Sequence, residues 1–369
     1  MSSLRVGVNT LFLDPGRRSG TATYTWSVVE ALSRHDDLDL VLYCQDGHVP
    51  TPTLRELATV RACPRFGSVV RRVVWEQARL PARAAADGID VLFSPGYVSP
   101  LRGPVPRVVT IHDLYYARCP KAIPRVRRAY YRMFIPRSVR ACTGVIAVSE
   151  NTRSDLEELI PSSRGKTTVV LQGARAELSD VEPVPPLVAE PFFMMVASVT
   201  ANKNPATVVA AVGELRRRGI DAHLYVVGSD PYGILAGVVV REGAADYVHH
   251  VGEVGDAALA GWYQAATAVV NASTYEGFGL PILEAQLLGA PVICSDAGPL
   301  PEVAGDAARF FDPSSVDQLA DAMAALAADP AERERLISAG VQNVSRFSWD
   351  EAGRRTAEVL HAAAGAPNR

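Results

Sequence analysis

The 369-residue sequence predicts an α/β fold of two doubly wound, parallel-sheet domains, and three observations carry that prediction. Short apolar runs, nearly continuous and rich in β-branched residues, recur along the chain as strands buried on both faces do. Segments of helical spacing separate them, so strand and helix alternate in βαβ order. Near the middle, Pro183, Pro185, Pro186 and Pro191 fall within one short stretch, and beyond it the same rhythm restarts. At ~100–200 residues per domain, the length agrees with two domains.

In the first half, Leu4–Val8, Leu38–Tyr43, Ile89–Phe93, Val108–Ile111 and Val145–Val148 read as strands, with Thr21–Ser33 and Val126–Arg140 among the helices between them. The stretch Glu177–Pro191 reads as a linker, because prolines remove backbone donors and favour extended chain. Phe192–Ala197, Ala222–Val227, Val248–Val251, Ala268–Asn271 and Pro291–Cys294 are the next strands. Ser315–Ala328 and Ala331–Val341 read as helices, Pro330 suiting a helix start, and Phe347–Ala363 as a last amphipathic helix. The expected division is therefore a Rossmann-like domain over 1–178, a linker over 179–191 and a second Rossmann-like domain over 192–346, with residues 347–369 returning to the first. Two such domains imply a cleft, and the carboxyl ends of the strands are where its chemistry belongs.

Composition narrows the function. A hydrophobic fraction of 48%, a charged fraction of 21% and a net charge of −3 describe an ordinary soluble domain with no field for nucleic acid. The 34 arginines against 3 lysines read as coding bias. Five scattered cysteines, Cys44, Cys63, Cys119, Cys142 and Cys294, form no metal or disulfide pattern and suit a reducing cytoplasm. No stretch has the length of a signal peptide core or a membrane span. There is no Gly-x-Gly-x-x-Gly fingerprint and no Walker lysine loop, which argues against a dehydrogenase and a P-loop kinase. No carboxylates carry metal-site spacing.

The strongest chemical signal runs from Ser273 to Glu284, after the strand Ala268–Asn271. Pro281 suits the first turn of a helix ending at Gly289, whose positive dipole end is a seat for phosphate. Gly277 and Gly279 let backbone approach a ligand. Glu276 is placed to accept hydrogen bonds from sugar hydroxyls and Glu284 to grip a ribose; the plainer reading is a capping glutamate followed by a solvated one. His112 ends a strand of the first sheet, where an imidazole can hold a sugar hydroxyl or simply be a buried histidine satisfied by backbone. Lys203 follows the first strand of the second sheet and can neutralise a leaving diphosphate or stand as a surface lysine. Residues 16–21, with Gly16, Ser19 and Gly20, form a glycine-containing loop before the first helix. Leu114–Ser149 has no acidic residue and interleaves Arg118, Lys121, Arg125, Arg127, Arg128, Arg132, Arg137 and Arg140 with aromatic residues. It suits a peripheral contact with an anionic membrane through Arg118–Arg140, or a solvated basic face.

The run Glu276-Gly-Phe-Gly-Leu-Pro-Ile-Leu-Glu284 resembles the signature of the retaining glycosyltransferases of family 4, which have the GT-B fold. Ser94-Pro-Gly-Tyr97, Val109-Thr-Ile-His112-Asp113-Leu114, Val148-Ser-Glu150, Lys203-Asn-Pro205 and Pro299-Leu-Pro-Glu302 are similar to further family motifs in the same order. The resemblance implies a nucleotide-diphosphate sugar donor and no metal cofactor. It implies His112 and Glu276 at the reacting sugar, with Gly20, Lys203, Gly277, Phe278, Gly279, Leu280 and Glu284 around the donor. The leaving phosphate would take the acceptor's proton. Donors carrying GDP, above all GDP-mannose, are favoured over UDP and dTDP sugars; the acceptor would be a glycan, a lipid-linked glycan or a small natural product. Two departures stand out: Ser198 occupies the place of a frequent arginine, and Ser19 that of the first glycine of the N-terminal loop. A phosphorylase or epimerase on the same fold, a non-catalytic nucleotide-sugar-binding partner, and a membrane scaffold remain as alternatives.

Overall fold

The computed structural model describes residues 3–14, 19–120, 122–188 and 191–366, and divides into two compact units. The first takes the chain up to Ala117, Ile123–Gly173 and the segment from Ser348; the second takes Arg118–Ala122 and Ala174–Phe347.

The first unit is built on seven strands: β1 (Leu4–Asn9), β2 (Leu38–Gln45), β3 (Thr59–Cys63), β4 (Val91–Ser94), β5 (Arg107–Ile111), β6 (Gly144–Ala147) and β7 (Thr167–Val169). They form one sheet in the order β3-β2-β1-β4-β5-β6-β7, every described pair parallel. The inner strands β4 and β6 are buried at every residue, as the unbroken apolar runs required. The order reverses between β1 and β4, the switch point where ligands of such sheets collect beyond the strand ends.

The second unit holds β8 (Phe192–Val196), β9 (His223–Val227), β10 (Val248–Gly252), β11 (Ala268–Asn271), β12 (Val292–Ser295) and β13 (Arg309–Phe311). Their order is β10-β9-β8-β11-β12-β13, again parallel, and here the switch lies between β8 and β11. The chain is therefore an α/β protein of two Rossmann-like sheets.

The last helix, Trp349–Ala364, belongs to the first unit. Ser348 caps it by accepting from the Asp350 and Glu351 amides. It lies against the helix Gly20–Leu32 so closely that a Cβ on Gly353 would stand 2.6 Å from the Ala31 Cβ. Arg34 with Asp350 and His361 with Asp37 pair along the edges of this contact.

The proline-rich stretch is laid along the second unit and is no free tether: the Val184 amide donates to Ala257, and a Cβ on Gly261 would collide with the Val184 carbonyl. Three strands escaped the sequence reading: β3, β7 and β13. Each is an edge strand, and their residues are largely half-covered, so none shows an unbroken apolar run.

Candidate active site

In the second unit, the loops leaving β8 and β11 meet at the switch point. After β8, the backbone turns through Ala201–Lys203 and reaches Asn204 in the left-handed region (φ 54). Asparagine tolerates that conformation because its short side chain bonds locally. Asn204 donates from Nδ2 to Pro313 (2.8 Å) and accepts from the Thr207 hydroxyl, while Pro205 opens the helix Pro205–Arg217. Asn202 ties this loop to the one after β11: its Nδ2 donates to the Tyr275 carbonyl (3.0 Å), and its own carbonyl accepts from the Thr274 amide (2.8 Å).

The result brings two sequence-predicted residues together. The Lys203 ammonium is ion-paired with Glu276 Oε1, which also accepts from the Ser273 hydroxyl at 2.7 Å. Both side chains keep partial exposure, 21% for Lys203 and 14% for Glu276. An ion pair that keeps some solvent access can exchange partners when a charged or hydroxylated ligand offers its own charge-assisted hydrogen bonds.

Beyond Glu276, Gly277 is half-buried and Gly279 adopts φ 121, a conformation other residues avoid. A Cβ on Gly279 would stand 2.9 Å from Leu300, so glycine is required there by both backbone and packing. The helix then runs over Leu280–Leu287 with Gly289 (φ 73) just past its end. Its Gly279 cap contributes no side-chain oxygen. Pro281 has no N–H and the Ile282 amide donates to Gly279, so this first turn offers an anion fewer donors than the sequence reading assumed. The Phe278 ring is buried edge-on against Phe347 (centroids 5.9 Å) and packs the loop, so only its backbone is left to face a donor.

Glu284 is no solvated glutamate. It is buried, accepts from the Tyr263 hydroxyl (2.8 Å) and lies 3.6 Å from Arg175, which also pairs with Asp256 and Glu177. Burial raises its carboxyl above the usual range, against the opposing pull of Arg175 and Tyr263. Arg175 and Tyr263 were not found from the sequence. Their partners are remote along the chain, and no local pattern marks them.

In the first unit, His112 follows β5 directly. It is buried, and Nε2 stands 2.8 Å from the Pro95 carbonyl. A carbonyl only accepts, so Nε2 carries the proton and Nδ1 is the bare acceptor. Desolvation pulls the imidazole down to about 4, despite the backbone bond that favours its charged form. The Tyr24 ring meets it edge-on (4.7 Å) and the Tyr97 ring lies 5.2 Å away. Tyr97 donates to Asp113, which also accepts from the Tyr115 amide, so Asp113 orders the loop. The plain reading, a buried histidine satisfied by backbone, is what the structure shows for Nε2.

Gly20 opens the helix Gly20–Leu32 behind the Ser19 cap, and a Cβ there would meet nothing within 4 Å; neither crowding nor a left-handed backbone demands glycine. Gly16 and its two following arginines lie outside the described residues, as does Lys121. Ser198, in the place of the expected arginine, bonds the Ser229 hydroxyl and brings no positive charge. Among the described residues, no three His, Cys, Asp or Glu gather as a metal site.

Residues 18–177 match the model of glycosyltransferase family 4, and residues 182–343 that of the group 1 glycosyl transferases. The chain belongs to the family 4-like glycosyltransferases of the GT-B fold. This glycosyltransferase is 29% identical to the O-antigen chain mannosyltransferase B of Escherichia coli over 68% of each chain. It is 30% identical to the MMP alpha-(1->4)-mannosyltransferase of Mycolicibacterium hassiacum, over 65% of this chain and 59% of that one. Among solved structures, sucrose-phosphate synthase of Thermosynechococcus elongatus shares the fold at a TM-score of 0.79 and 21% identity, covering 97% of this chain and 98% of that one. The matches to the two mannosyltransferases span about two thirds of the first and three fifths of the second. Among the described residues, no helix is long and apolar enough to cross a membrane.

Proposed function

We propose that this glycosyltransferase moves a hexose from a nucleotide-diphosphate sugar to an acceptor hydroxyl with retention of configuration, with GDP-mannose as the favoured donor. The observation that carries the reading is the Lys203–Glu276 ion pair, mostly buried but still partly open to solvent, in the loops that follow β8 and β11. A diphosphate entering there draws Lys203 away from Glu276, and the freed carboxylate accepts hydrogen bonds from the sugar. Glu284, oriented by Tyr263 and Arg175, takes the ribose. Gly277, Gly279 and Leu280 bring backbone to the donor. His112, neutral near pH 7, accepts through Nδ1 from a sugar hydroxyl.

In the transfer step the acceptor oxygen bonds to the anomeric carbon as the bond to the leaving phosphate breaks. The acceptor proton passes to that phosphate on the same face, so no protein base is needed. Lys203 and backbone amides stabilise the departing charge, and the reading requires no metal. The two mannosyltransferase relatives support mannose. A glycan, lipid-linked glycan or small natural product is the acceptor, and the free cysteines agree with a cytoplasmic site of action.

The test is a thermal-shift series with GDP, UDP and dTDP, followed by turnover of the matching sugar donor. GDP should raise the melting temperature most, since ligand binding to the folded state stabilises it by mass action. No shift with any nucleotide, or a donor consumed without transfer, overturns the reading; phosphate-dependent sugar phosphate or an epimerised donor as sole product would identify a same-fold phosphorylase or epimerase.

A further inference from the structure

The two carboxylate oxygens of Glu276 stand in different surroundings. Oε1 takes both the Lys203 ammonium and the Ser273 hydroxyl, the latter at 2.7 Å. Oε2 has no hydrogen-bond partner among the described residues, on a side chain that is still partly open to solvent. A carboxylate oxygen only accepts, so the single O–H of Ser273 is directed at Glu276. Hydrogen bonds from a hydroxyl to an ionised oxygen are among the stronger ones, and this one has the length expected of them.

The two partners of Oε1 differ in freedom. Lys203 carries its charge at the end of a flexible four-carbon stem, on a side chain that solvent reaches. Ser273 is 1% exposed, and one torsion places its hydroxyl oxygen. Its main chain is tied on both sides. The Ser273 amide donates to Asn271 Oδ1 (3.3 Å), and its carbonyl accepts from the Ser295 hydroxyl (2.6 Å). Asn271 is the last residue of β11 and Ser295 the last of β12, and the two strands pair side by side, Asn271 opposite Cys294. The Ser273 hydroxyl is therefore fixed to the end of the sheet, whereas the Lys203 ammonium is not.

We propose that Ser273 is the positioning residue that holds Glu276 in place while Lys203 changes partners. The inference rests on the reading in which a diphosphate draws Lys203 away from Glu276. That exchange removes the carboxylate's one cation and brings a second anion close, so Glu276 is pushed outward at the moment the sugar needs it. The Ser273 O–H remains on Oε1, and Oε2 stays where a sugar hydroxyl can donate to it. Ser273 touches neither sugar nor phosphate in this account and acts through Glu276 alone.

The test is a double-mutant cycle on donor turnover, read as nucleoside diphosphate released, with Ser273→Ala, Glu276→Gln and the two combined. Ser273→Ala should lower kcat roughly 10-fold, the effect of a displaced reacting group. Its affinity for the nucleoside diphosphate that raises the melting temperature most should stay within about two-fold of the parent, because Lys203 and Glu284 are intact. Added to Glu276→Gln, the same substitution should cost less than about two-fold more, because two residues that act as one do not add. A merely structural role for Ser273 would lower affinity together with rate and would add its full cost in the double variant; either result overturns the proposal, as does parental turnover by Ser273→Ala. Parental turnover by Glu276→Gln overturns the donor-site reading itself, and the role of Ser273 with it.

Discussion

The burial of His112 has a consequence for stability that can be worked from its surroundings. In the unfolded chain an imidazole protonates near pH 6.5, whereas in the folded protein it does so at about 4. The folded-state value is depressed for a base, so the unfolded chain binds the extra proton between those limits and stability falls as pH falls through them. The difference between the two values is worth about 3 kcal/mol once fully expressed, and about 2 kcal/mol is already lost at pH 5. His112→Gln keeps an amide that can donate to Pro95 but has no titration. Urea unfolding at pH 7 and pH 5, followed by tryptophan fluorescence, reads the effect, since Trp26, Trp75 and Trp349 all lie in the first unit. The parent should lose about 2 kcal/mol more than the variant between the two pH values. Glu76 and Glu284, whose carboxyls burial raises, act in the opposite direction but equally in both proteins, so they cancel in the comparison. Equal losses for parent and variant would refute the claim that His112 is held neutral, and with it the assignment of Nδ1 as a hydrogen-bond acceptor.

Three further outcomes follow from the geometry. Glu276→Gln should lower kcat/KM for transfer by more than ~10-fold in a donor-turnover assay, because it removes the carboxylate that pairs with Lys203 and that the proposed reaction assigns to the sugar; near-parental rates would contradict the role. Glu284→Ala should weaken nucleotide affinity roughly 10-fold by calorimetry with a smaller change in kcat, the loss of about one charged hydrogen bond, whereas unchanged affinity would leave Glu284 as a purely structural partner of Arg175 and Tyr263. Gly353→Ala places a methyl 2.6 Å from the Ala31 Cβ and should destabilise the first unit by about 1–3 kcal/mol, read as a lower melting temperature; an unchanged midpoint would mean that the two helices separate without cost.

Much of this protein is written locally. The inner strands β4, β6, β11 and β12 are legible because burial on both faces forces unbroken apolar runs, and the glycine loop before Pro281 because only glycine suits φ 121 beside Leu300. The helix starts at Ser315, which the structure makes its cap, and at Pro330 were equally readable, since caps and first-turn prolines act within a few residues. Tertiary structure decided the rest. The edge strands β3, β7 and β13 exist because a neighbouring strand offers hydrogen bonds, and that neighbour is not encoded in their own composition. Lys203 and Glu276 were separate candidates along the chain and became one ion pair only when the β8 and β11 loops met. Glu284 was placed correctly on its helix, yet its burial by Tyr263 and Arg175 depends on elements distant in sequence. The charge and neutrality of such groups depend on desolvation and on partners brought in by folding, and neither quantity exists until the chain has packed.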